Sequence, residues 1–364
     1  MIENFPLGQI VNPLLEWFQG NARSLPWRAQ PTPYRVWVSE IMLQQTRVEA
    51  VKPYFQRFTA ALPGVRELAE CEEEKLLKLW EGLGYYNRVR NMQSAAQTVM
   101  EKYHGELPAD YHELLKLKGI GNYTAGAIAS IAYQIPVPAV DGNVLRVIAR
   151  VTADDSDIMK QSVRTKVEDA LQSIMPKDSA RDFNQALMEL GATVCVPNGA
   201  PQCEKCPWQE FCEAKRLDCW QQLPVKSKAK PRRIEEKTVF IIQDGEKIVL
   251  HKRPNRGLLA GLYEFPNIPG HLSREEALTW LKEQKLEPIR IQELEPAKHI
   301  FSHVEWHMTG YVVRVDELSE NQNHMLFVEV AESEKRYPIP SAFGAYTKYM
   351  NIRLGMESEI VIDG

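Results

Sequence analysis

The sequence has no apolar run that approaches the roughly 20 residues needed to cross a bilayer. Its start, Met1-Ile2-Glu3-Asn4-Phe5, lacks the basic-then-apolar order of a secretory signal. Only six of its 364 residues are cysteine, and because these features predict an intracellular, reducing location, we do not expect a disulfide framework. The net charge of −4 excludes a nonspecific polycation but does not argue against a local basic groove. We therefore expect a cytoplasmic protein with reduced cysteines and no membrane segment.

The chain changes character near residue 225. Hydrophobic residues at 44% and charged residues at 25% are typical of a globular protein, and the length allows two or three domains. Helical spacing predominates up to Lys215 and strand-like spacing after the basic stretch Pro224–Arg233. We predict a helical domain over 1–216, a basic linker over 217–234 and an α+β domain over 235–364. The segments with helical spacing are Val11–Phe18, Val36–Phe58, Glu72–Leu83, Arg88–Tyr103, Thr124–Tyr133, Val144–Val151, Val163–Ile174, Ala180–Val194 and Arg274–Gln284, and the predicted strands are Thr238–Gln243, Lys247–Lys252, Ile289–Glu295, His303–Val315 and Met325–Val330.

A glycine hairpin over residues 115–125 is the most informative motif. Gly119 and Gly121 flank Ile120 between two helical patterns, which predicts a tight turn with outward-pointing backbone N–H groups. Such groups at a helix N-terminus favour a phosphate oxygen. An isolated acid, Asp141, follows at the start of the next helical pattern. A phosphate site beside a carboxylate suggests chemistry on nucleic acid.

Four cysteines form the second strong signal. Within residues 195–212 they follow the spacing C-x7-C-x2-C-x5-C, and four thiolates so spaced can ligate one soft metal centre. Four buried apolar cysteines would be the alternative without a metal, and the spacing argues against it. Spacing alone does not separate a [4Fe–4S] cluster from a structural Zn²⁺. The proposed ligands are Cys195, Cys203, Cys206 and Cys212.

Together these motifs resemble the helix-hairpin-helix DNA glycosylases that carry an iron–sulfur cluster, and within that superfamily the adenine DNA glycosylase (MutY) family. Lys118 stands where the family commonly has proline, and seven residues separate Cys195 from Cys203 where six are usual. The resemblance spans nearly the whole chain and is carried by Leu25-Pro26-Trp27-Arg28, Val38–Thr46 (VSEIMLQQT), Gly82-Leu83-Gly84-Tyr85-Tyr86, the hairpin, Val140-Asp141-Gly142-Asn143 and Phe301-Ser302-His303.

The resemblance implies a bilobal helical domain with a [4Fe–4S] cluster, a Nudix-like C-terminal domain, and removal of adenine paired with 8-oxoguanine or G in duplex DNA. It implies a monomer associated with the nucleoid. It assigns Phe301, Ser302 and His303 to contacts with 8-oxoguanine, and Gln45 and Tyr85 to insertion near the opposite base. The adenine pocket would contain Trp27, Arg28, Gln44 and Gln185, and Gly119, Ile120 and Gly121 would hold a phosphate. For Trp27 and Tyr85, core packing is the alternative.

Two carboxylates in different protonation states suit cleavage of an N-glycosidic bond. Glu40 lies in an apolar helical stretch, where burial would raise its pKa and keep it protonated as the acid. Asp141 precedes a helix start, whose N–H groups would favour the ionised form next to a positively charged sugar. Asn143 accompanies it in the motif. The alternatives are a surface glutamate and a plain helix cap.

Tyr123 bears on the type of reaction. Related endonuclease III enzymes resemble this chain but have a lysine at this hairpin position, which forms a Schiff base with the sugar. A phenol cannot form that imine, so we predict a monofunctional glycosylase that leaves an abasic site.

The remaining functional alternatives come from other parts of the sequence. The segment Gly257–Pro266 resembles the entry to a Nudix domain, but Arg274–Leu281 lacks the second glutamate pair that a working Nudix hydrolase uses for Mg²⁺. A glycosylase for another base, such as thymine in G·T pairs, and a noncatalytic lesion-binding protein remain open. Phe301-Ser302-His303 argues against the former, and Glu40 with Asp141 against the latter.

Overall fold

The computed structural model describes residues 2, 5–228, 230–318 and 325–354. The chain packs as two compact units, each of which is continuous in space but not in sequence. The first consists of Met1–Glu70 and Asn91–Lys228, and the second of Cys71–Arg90 and the described part of Ala229–Gly364. The sequence patterns place Cys71–Arg90 in the predicted helical domain, whereas contacts group this segment with the second unit. Three of its side chains, Glu74, Lys78 and Glu81, hydrogen-bond to residues of the C-terminal half of the chain.

The first unit is helical. Most of its helices are short, and those that end at Ala29, Leu43, Leu115 and Val151 are each followed by a polar residue, which does not continue an apolar stripe. They are α1 (Val11–Asn21), α2 (Pro26–Ala29), α3 (Pro33–Leu43), α4 (Val48–Ala61), α5 (Val65–Glu70), α7 (Asn87–Lys102), α8 (Tyr111–Leu115), α9 (Asn122–Ala127), a π-helical turn (Ile128–Ala132), α10 (Gly142–Val151), α11 (Gln161–Ile174), α12 (Ala180–Thr193) and α13 (Glu213–Arg216). Between α5 and α7 the chain forms α6 (Glu73–Leu79), which belongs to the second unit.

The predicted single helix Val36–Phe58 is wrong. Helix α3 ends at Leu43 and α4 begins at Val48, with Gln45 between them at a φ of 65°. Four polar residues, Gln44-Gln45-Thr46-Arg47, interrupt the apolar spacing here, so no buried stripe holds the helix together across them. The left-handed backbone of Gln45 costs on the order of 1 kcal/mol, which the flanking helices must offset. The break turns both glutamines out of the helix.

The core of the first unit lies between α1, α10 and α12. Leu14, Val144, Ile148, Phe183 and Leu187 are nearly inaccessible to solvent and pack together. Because α10 follows Asp141 directly, this core fixes the position of that residue.

The second unit is built on one sheet, and its described part contains seven strands. Their order is β3-β2-β1-β6-β5, with β4 on β1 and β7 on β2. Strands β1 and β6 run parallel, with Val239 opposite Gly310, and the other pairs are antiparallel. The elements are β1 (Arg233–Asp244), β2 (Lys247–Lys252), β3 (Tyr263–Glu264), β4 (Asn267–Pro269), α14 (Arg274–Glu283), β5 (Pro288–Ile300), β6 (Val304–Val315), β7 (Met325–Glu329), α15 (Val330–Arg336) and α16 (Gly344–Thr347).

Both faces of the sheet are covered. Val239 and Ile241 of β1 point to one core, which includes Tyr346, whereas Phe240 and Ile242 point to the other, which includes α14 residue Leu281. Alternate residues of a strand face opposite sides, so a continuous apolar run fits a strand buried on both faces.

Gly126 offers a test of the packing in the first unit. A Cβ at this position would lie 2.4 Å from the carbonyl oxygen of Pro138, which belongs to the backbone and cannot turn aside as a flexible side chain could. We expect Gly126→Ala to lower the free energy of unfolding by about 1–3 kcal/mol through overpacking. Gly20 in α1 is the matched control, since nothing lies within 4 Å of its added Cβ. Gly20→Ala should be neutral or stabilise by up to about 1 kcal/mol. Urea unfolding of both variants checks this, and equal midpoints would contradict it.

Candidate active site

The hairpin joins α8 to α9. Gly119 has a φ of 79°, and Gly121 is the extended residue that precedes α9. An added Cβ on Gly119 would meet the Cβ of Asn91 at 2.8 Å, so both its conformation and its packing require glycine. Gly119 and Gly121 are exposed, whereas the Ile120 side chain is only 5% exposed. Ile120 therefore anchors the turn in the core, and its backbone N–H is used within the turn, where it donates to the Leu117 carbonyl oxygen at 3.1 Å.

Three helices bring a carboxylic acid, a phenol and a second carboxylic acid together. Glu40 of α3 accepts a hydrogen bond from the hydroxyl of Tyr123 on α9. Burial raises the pKa of Glu40 to about 7, and the negative charge of Asp141 acts in the same direction. The hydrogen bond from Tyr123 and the charge of Arg28 lower it, but by less. Glu40 is therefore an acid that titrates near neutral pH.

Tyr123 stays protonated in this environment. Burial, followed by the charges of Glu40 and Asp141, raises its pKa well above the usual value of a phenol. The residue can therefore donate a hydrogen bond but cannot serve as a base near neutral pH.

Asp141 caps α10. One carboxylate oxygen accepts from the Val144 backbone N–H at 2.7 Å, and the other from the Asn143 side-chain amide at 2.9 Å. These bonds favour the ionised form, as the sequence predicted, but burial outweighs them and raises the pKa of Asp141 above its ordinary value.

A buried arginine–glutamate cluster borders the acids. Glu189 of α12 is 1% exposed and pairs with Arg23 at 2.6 Å and with Arg28 at 2.8 Å. Burial would raise the pKa of Glu189, but the hydrogen bonds and charges of the two arginines hold it below its usual value. Sequence reasoning missed Arg23 and Glu189. Glu189 lies four residues after Gln185 and so on the same helix face, which was the one available signal.

One cleft of about 860 Å³ collects these groups. Its lining includes the predicted residues Trp27, Arg28, Glu40, Gln44, Gln45, Tyr123, Asp141, Asn143 and Gln185. Trp27 is both buried and part of this lining, with its ring edge-on to Phe55 at 5.5 Å. Its packing and pocket interpretations are therefore compatible. The hairpin glycines lie outside the lining.

The four cysteines line a second cavity in the same unit, together with Arg150 and Trp220. Arg150 donates to the Cys195 sulfur at 3.4 Å, and burial raises the pKa of the Cys206 thiol to about 12. Among the described residues, no three Cys, His, Asp or Glu side chains are arranged to hold a single metal ion as they stand. Four thiols around one cavity with a buried cation beside them nevertheless form a donor set that fits an anionic thiolate cluster.

A hydrogen-bonded path joins the two cavities. The side-chain amide oxygen of Asn143 accepts from Arg146 at 2.8 Å, and Arg146 also donates to the backbone oxygen of Cys195 at 2.9 Å. Asn143 is the residue that holds Asp141. The position of Asp141 therefore depends on the cysteine loop as well as on α10.

The remaining predicted contact residues belong to the second unit. Phe301 packs on Trp306 with ring centroids 4.9 Å apart, and its N–H donates to Val304 at 2.8 Å, which closes a turn. The turn leaves Ser302 and His303 exposed, with the serine oxygen 3.3 Å from the imidazole. Tyr85 is 52% exposed at a φ of 47°.

Glu40 provides a test by pH. Its pKa in the folded protein, about 7, lies above the unfolded value of 4.5, so its ionisation opposes folding increasingly as the pH rises from 4.5 to 7. Glu40→Gln removes this cost, and its gain in unfolding free energy should be about 2 kcal/mol larger at pH 8 than at pH 5.5. Urea titrations at the two pH values measure it.

Glu189→Gln is the matched control with the opposite sign. Its pKa is lowered in the folded state, so its ionisation stabilises the protein above pH 4.5, and that contribution is lost on acidification. We expect this variant to be less stable than the unmodified chain at pH 8. The same pH dependence in both variants would contradict the assignment of Glu40.

Comparison with known proteins agrees with this layout. A family model of the HhH-GPD superfamily base excision DNA repair proteins matches residues 38–173, and one of the NUDIX domain matches residues 238–349. A thermostable thymine-DNA glycosylase aligns with a TM-score of 0.52 and 26% identity, over 57% of this chain and 96% of that one. Endonuclease III in a non-covalent DNA complex aligns with a TM-score of 0.50 and 27% identity, over 59% and 98%. The predicted fold class, a helix-hairpin-helix domain followed by a Nudix-like domain, is confirmed.

Among the described residues, no helix combines the length and apolarity that a bilayer crossing requires.

An adenine DNA glycosylase of Buchnera aphidicola is 34% identical over 316 residues, which cover 85% of this chain and 89% of the relative. The adenine DNA glycosylase of Mus musculus is 35% identical over 84% of this chain and 70% of its own length. Identity at this level over most of both chains shows that the protein belongs to the adenine DNA glycosylase family of DNA N-glycosylases.

Proposed function

We propose that this protein removes adenine mispaired with 8-oxoguanine or G in duplex DNA, by hydrolysis of the N-glycosidic bond. The main support is the Glu40 carboxyl, buried and with a pKa near 7, in one cleft with the capped Asp141. A group of this pKa holds a proton near neutral pH and can still release it. Relatives named adenine DNA glycosylase support the choice of base.

In this mechanism the adenine leaves the base stack and enters the cleft. Glu40 donates its proton to the purine, and the electrons of the glycosidic bond leave with the adenine. Positive charge then develops on the sugar, where the Asp141 carboxylate stabilises it. Water adds to the anomeric carbon, and its surplus proton restores Glu40. Tyr123 and Asn143 hold the two carboxyl groups, and Arg28 and Gln185 are available to hydrogen-bond the adenine edge.

The monofunctional outcome follows from the cleft's composition. Strand cleavage through a Schiff base needs an uncharged amine next to the sugar. None of the described residues that line the cleft is a lysine, and Tyr123 offers only a phenol. The product would therefore be an intact abasic site.

The four cysteines Cys195, Cys203, Cys206 and Cys212 would hold a [4Fe–4S] cluster. Such a cluster would supply four iron–thiolate bonds that fix the 195–212 loop. Through Arg146, the position of that loop reaches Asn143 and Asp141. The Gly119–Gly121 backbone would contact a DNA phosphate near the cleft that holds Glu40 and Asp141. The protein would act as a monomer in the cytoplasm, at the nucleoid.

Recognition of 8-oxoguanine falls to the turn of the second unit. Oxidation gives guanine an N7–H donor, and the Ser302 hydroxyl and His303 imidazole can accept from it. Both are exposed at the turn that Phe301 anchors. Tyr85, with its exposed ring, would stack next to the opposite base, and Gln45 would insert at the gap.

The first experiment is single-turnover adenine release from duplexes that pair A with 8-oxoguanine, G or T, with and without alkali. We expect alkali-dependent strand breaks, fastest opposite 8-oxoguanine, and a rate that falls as the pH rises through about 7 because Glu40 loses its proton. Glu40→Gln should lower the rate by at least about 10²-fold. Release of another base, or breaks without alkali, would contradict the proposal.

Ser302→Ala combined with His303→Ala tests the recognition turn. We expect a loss of preference for 8-oxoguanine over G of about tenfold or more, with the A:G rate unchanged, because two hydrogen-bonding groups are lost. Ser341→Ala, also an exposed serine of the second unit, is the control and should keep the preference. Unchanged discrimination in the double variant would remove this assignment.

A further inference from the structure

A pair of opposite charges is fully buried in the second unit. Lys78, in the last turn of α6, and Glu81, just after it, are 7% and 0% exposed, and their nitrogen and oxygen lie 2.8 Å apart. Removing two charges from water costs several kcal/mol for each ion, and the attraction between them recovers that only if the remaining polar atoms are also satisfied. The hydrogen-bond partners of Lys78 and Glu81 therefore show which segments of the chain the pair holds together.

Those partners come from the C-terminal end of the chain. The Ile339 N–H donates to Glu81 at 2.7 Å, and Lys78 donates to the backbone oxygen of Tyr337 at 3.4 Å. The second oxygen of Glu81 is the one that pairs with Lys78. One carboxylate thus joins α6 to the segment 337–339, about 258 residues further along the chain.

Contacts of two further residues flank this pair in sequence. Before it, Glu74 accepts from the Tyr263 hydroxyl at 2.5 Å and from Lys252 at 2.9 Å. After it, Arg90 donates to the Ala260 backbone oxygen at 2.7 Å. The residues matched by the NUDIX family model, 238–349, are called the Nudix-like part here. The segment from Glu74 to Arg90 is therefore fixed to the Nudix-like part at its beginning, in its middle and at its end.

The loop between these fixed points presents an exposed aromatic ring in a strained conformation. Gly82 and Gly84 have φ values of 95° and 68°, and Tyr85 follows with 47°. The Gly84 carbonyl oxygen accepts from Trp80 and from Arg88, each at 3.1 Å. A left-handed tyrosine costs on the order of 1 kcal/mol and persists only where its surroundings hold it. A rigid, exposed ring is suited to stacking on a nucleic-acid base.

We propose that Glu81 is a positioning residue, which holds the Tyr85 loop on the Nudix-like part so that the two contact the mispair as one body. This inference rests on the proposed function, because it gives Tyr85 a base to stack on. The buried Glu81 carboxylate links the Tyr85 loop to Ile339. Adenine recognition in the cleft of the first unit does not involve Glu81.

A double-mutant cycle tests the link. All variants carry Glu40→Gln, so that the adenine stays in the duplex, and the Kd is measured for a duplex with A opposite 8-oxoguanine. Glu81→Leu and Tyr85→Ala should each weaken binding about tenfold, because each removes the oriented ring. Together they should weaken it no further than either alone. Additive losses would overturn the proposal, since Glu81 would then act independently of Tyr85.

Two controls separate positioning from a general loss of stability. Glu81→Gln keeps an oxygen acceptor for Ile339 and should weaken binding less than Glu81→Leu. Leu281→Ala removes a buried side chain of α14, in the same unit but in another core cluster. It should lower the unfolding midpoint at least as much as Glu81→Leu and leave the Kd unchanged. If Leu281→Ala weakens binding as much as Glu81→Leu does, stability alone explains the effect and the proposal fails.

Adenine release by the wild-type chain distinguishes failure of the proposed function from failure of the proposed role of Glu81. Absence of adenine release from every mispair would end the proposed function. Adenine release by the wild-type chain, together with additive losses in the cycle, would end only the role of Glu81.

Discussion

The exclusion of water from Glu40 is the constraint on which the site depends. A carboxyl group in solution would be ionised at neutral pH and could not deliver a proton. Here α3 carries it into an apolar interior, and burial outweighs both the Tyr123 hydrogen bond and the positive charge of Arg28. The protein tolerates a poorly solvated acid because a pKa of about 7 keeps that acid neutral at lower pH. The protonated form of Glu40 therefore suits both the fold and proton donation, and its ionisation above pH 7 opposes both.

The positive charges that border the cleft are compensated by a buried carboxylate. Arg23 and Arg28 would create a strong positive field beside Glu40 if they were unpaired, and that field would favour ionisation of the acid. Glu189 compensates them from the opposite helix. In the proposed mechanism, the cleft therefore offers guanidinium donors that can orient a base while Glu40 keeps its proton. Arg28 of this cluster lowers the pKa of Glu40, but by less than burial raises it.

The parts of this arrangement that sequence could predict are those with a local cause. Asp141 as a helix cap, Gly119 as a left-handed turn residue and the apolar surroundings of Glu40 follow from neighbouring residues. The break at Gln44–Arg47 was missed because helical periodicity resumes beyond it and a four-residue interruption leaves little trace. The raised pKa of Asp141 and the pairing of Glu189 depend on residues far away in the chain. No local pattern carries that information, and the same holds for the partners of Lys78 and Glu81.

The discontinuity of the second unit has a consequence for how the protein is made. Chains emerge from the ribosome N-terminus first, at about 5–20 residues per second, and domains tend to fold in that order. Cys71–Arg90 emerges early, whereas Ile339 emerges 258 residues after Glu81. Lys78 and Glu81 must therefore remain hydrated for most of translation, while the helices on either side of them are already able to fold. Contacts so distant in sequence are slow to form. The second unit can therefore be completed only after residues 337–339 have been made, and a chain that stops before them leaves Lys78 and Glu81 without those partners.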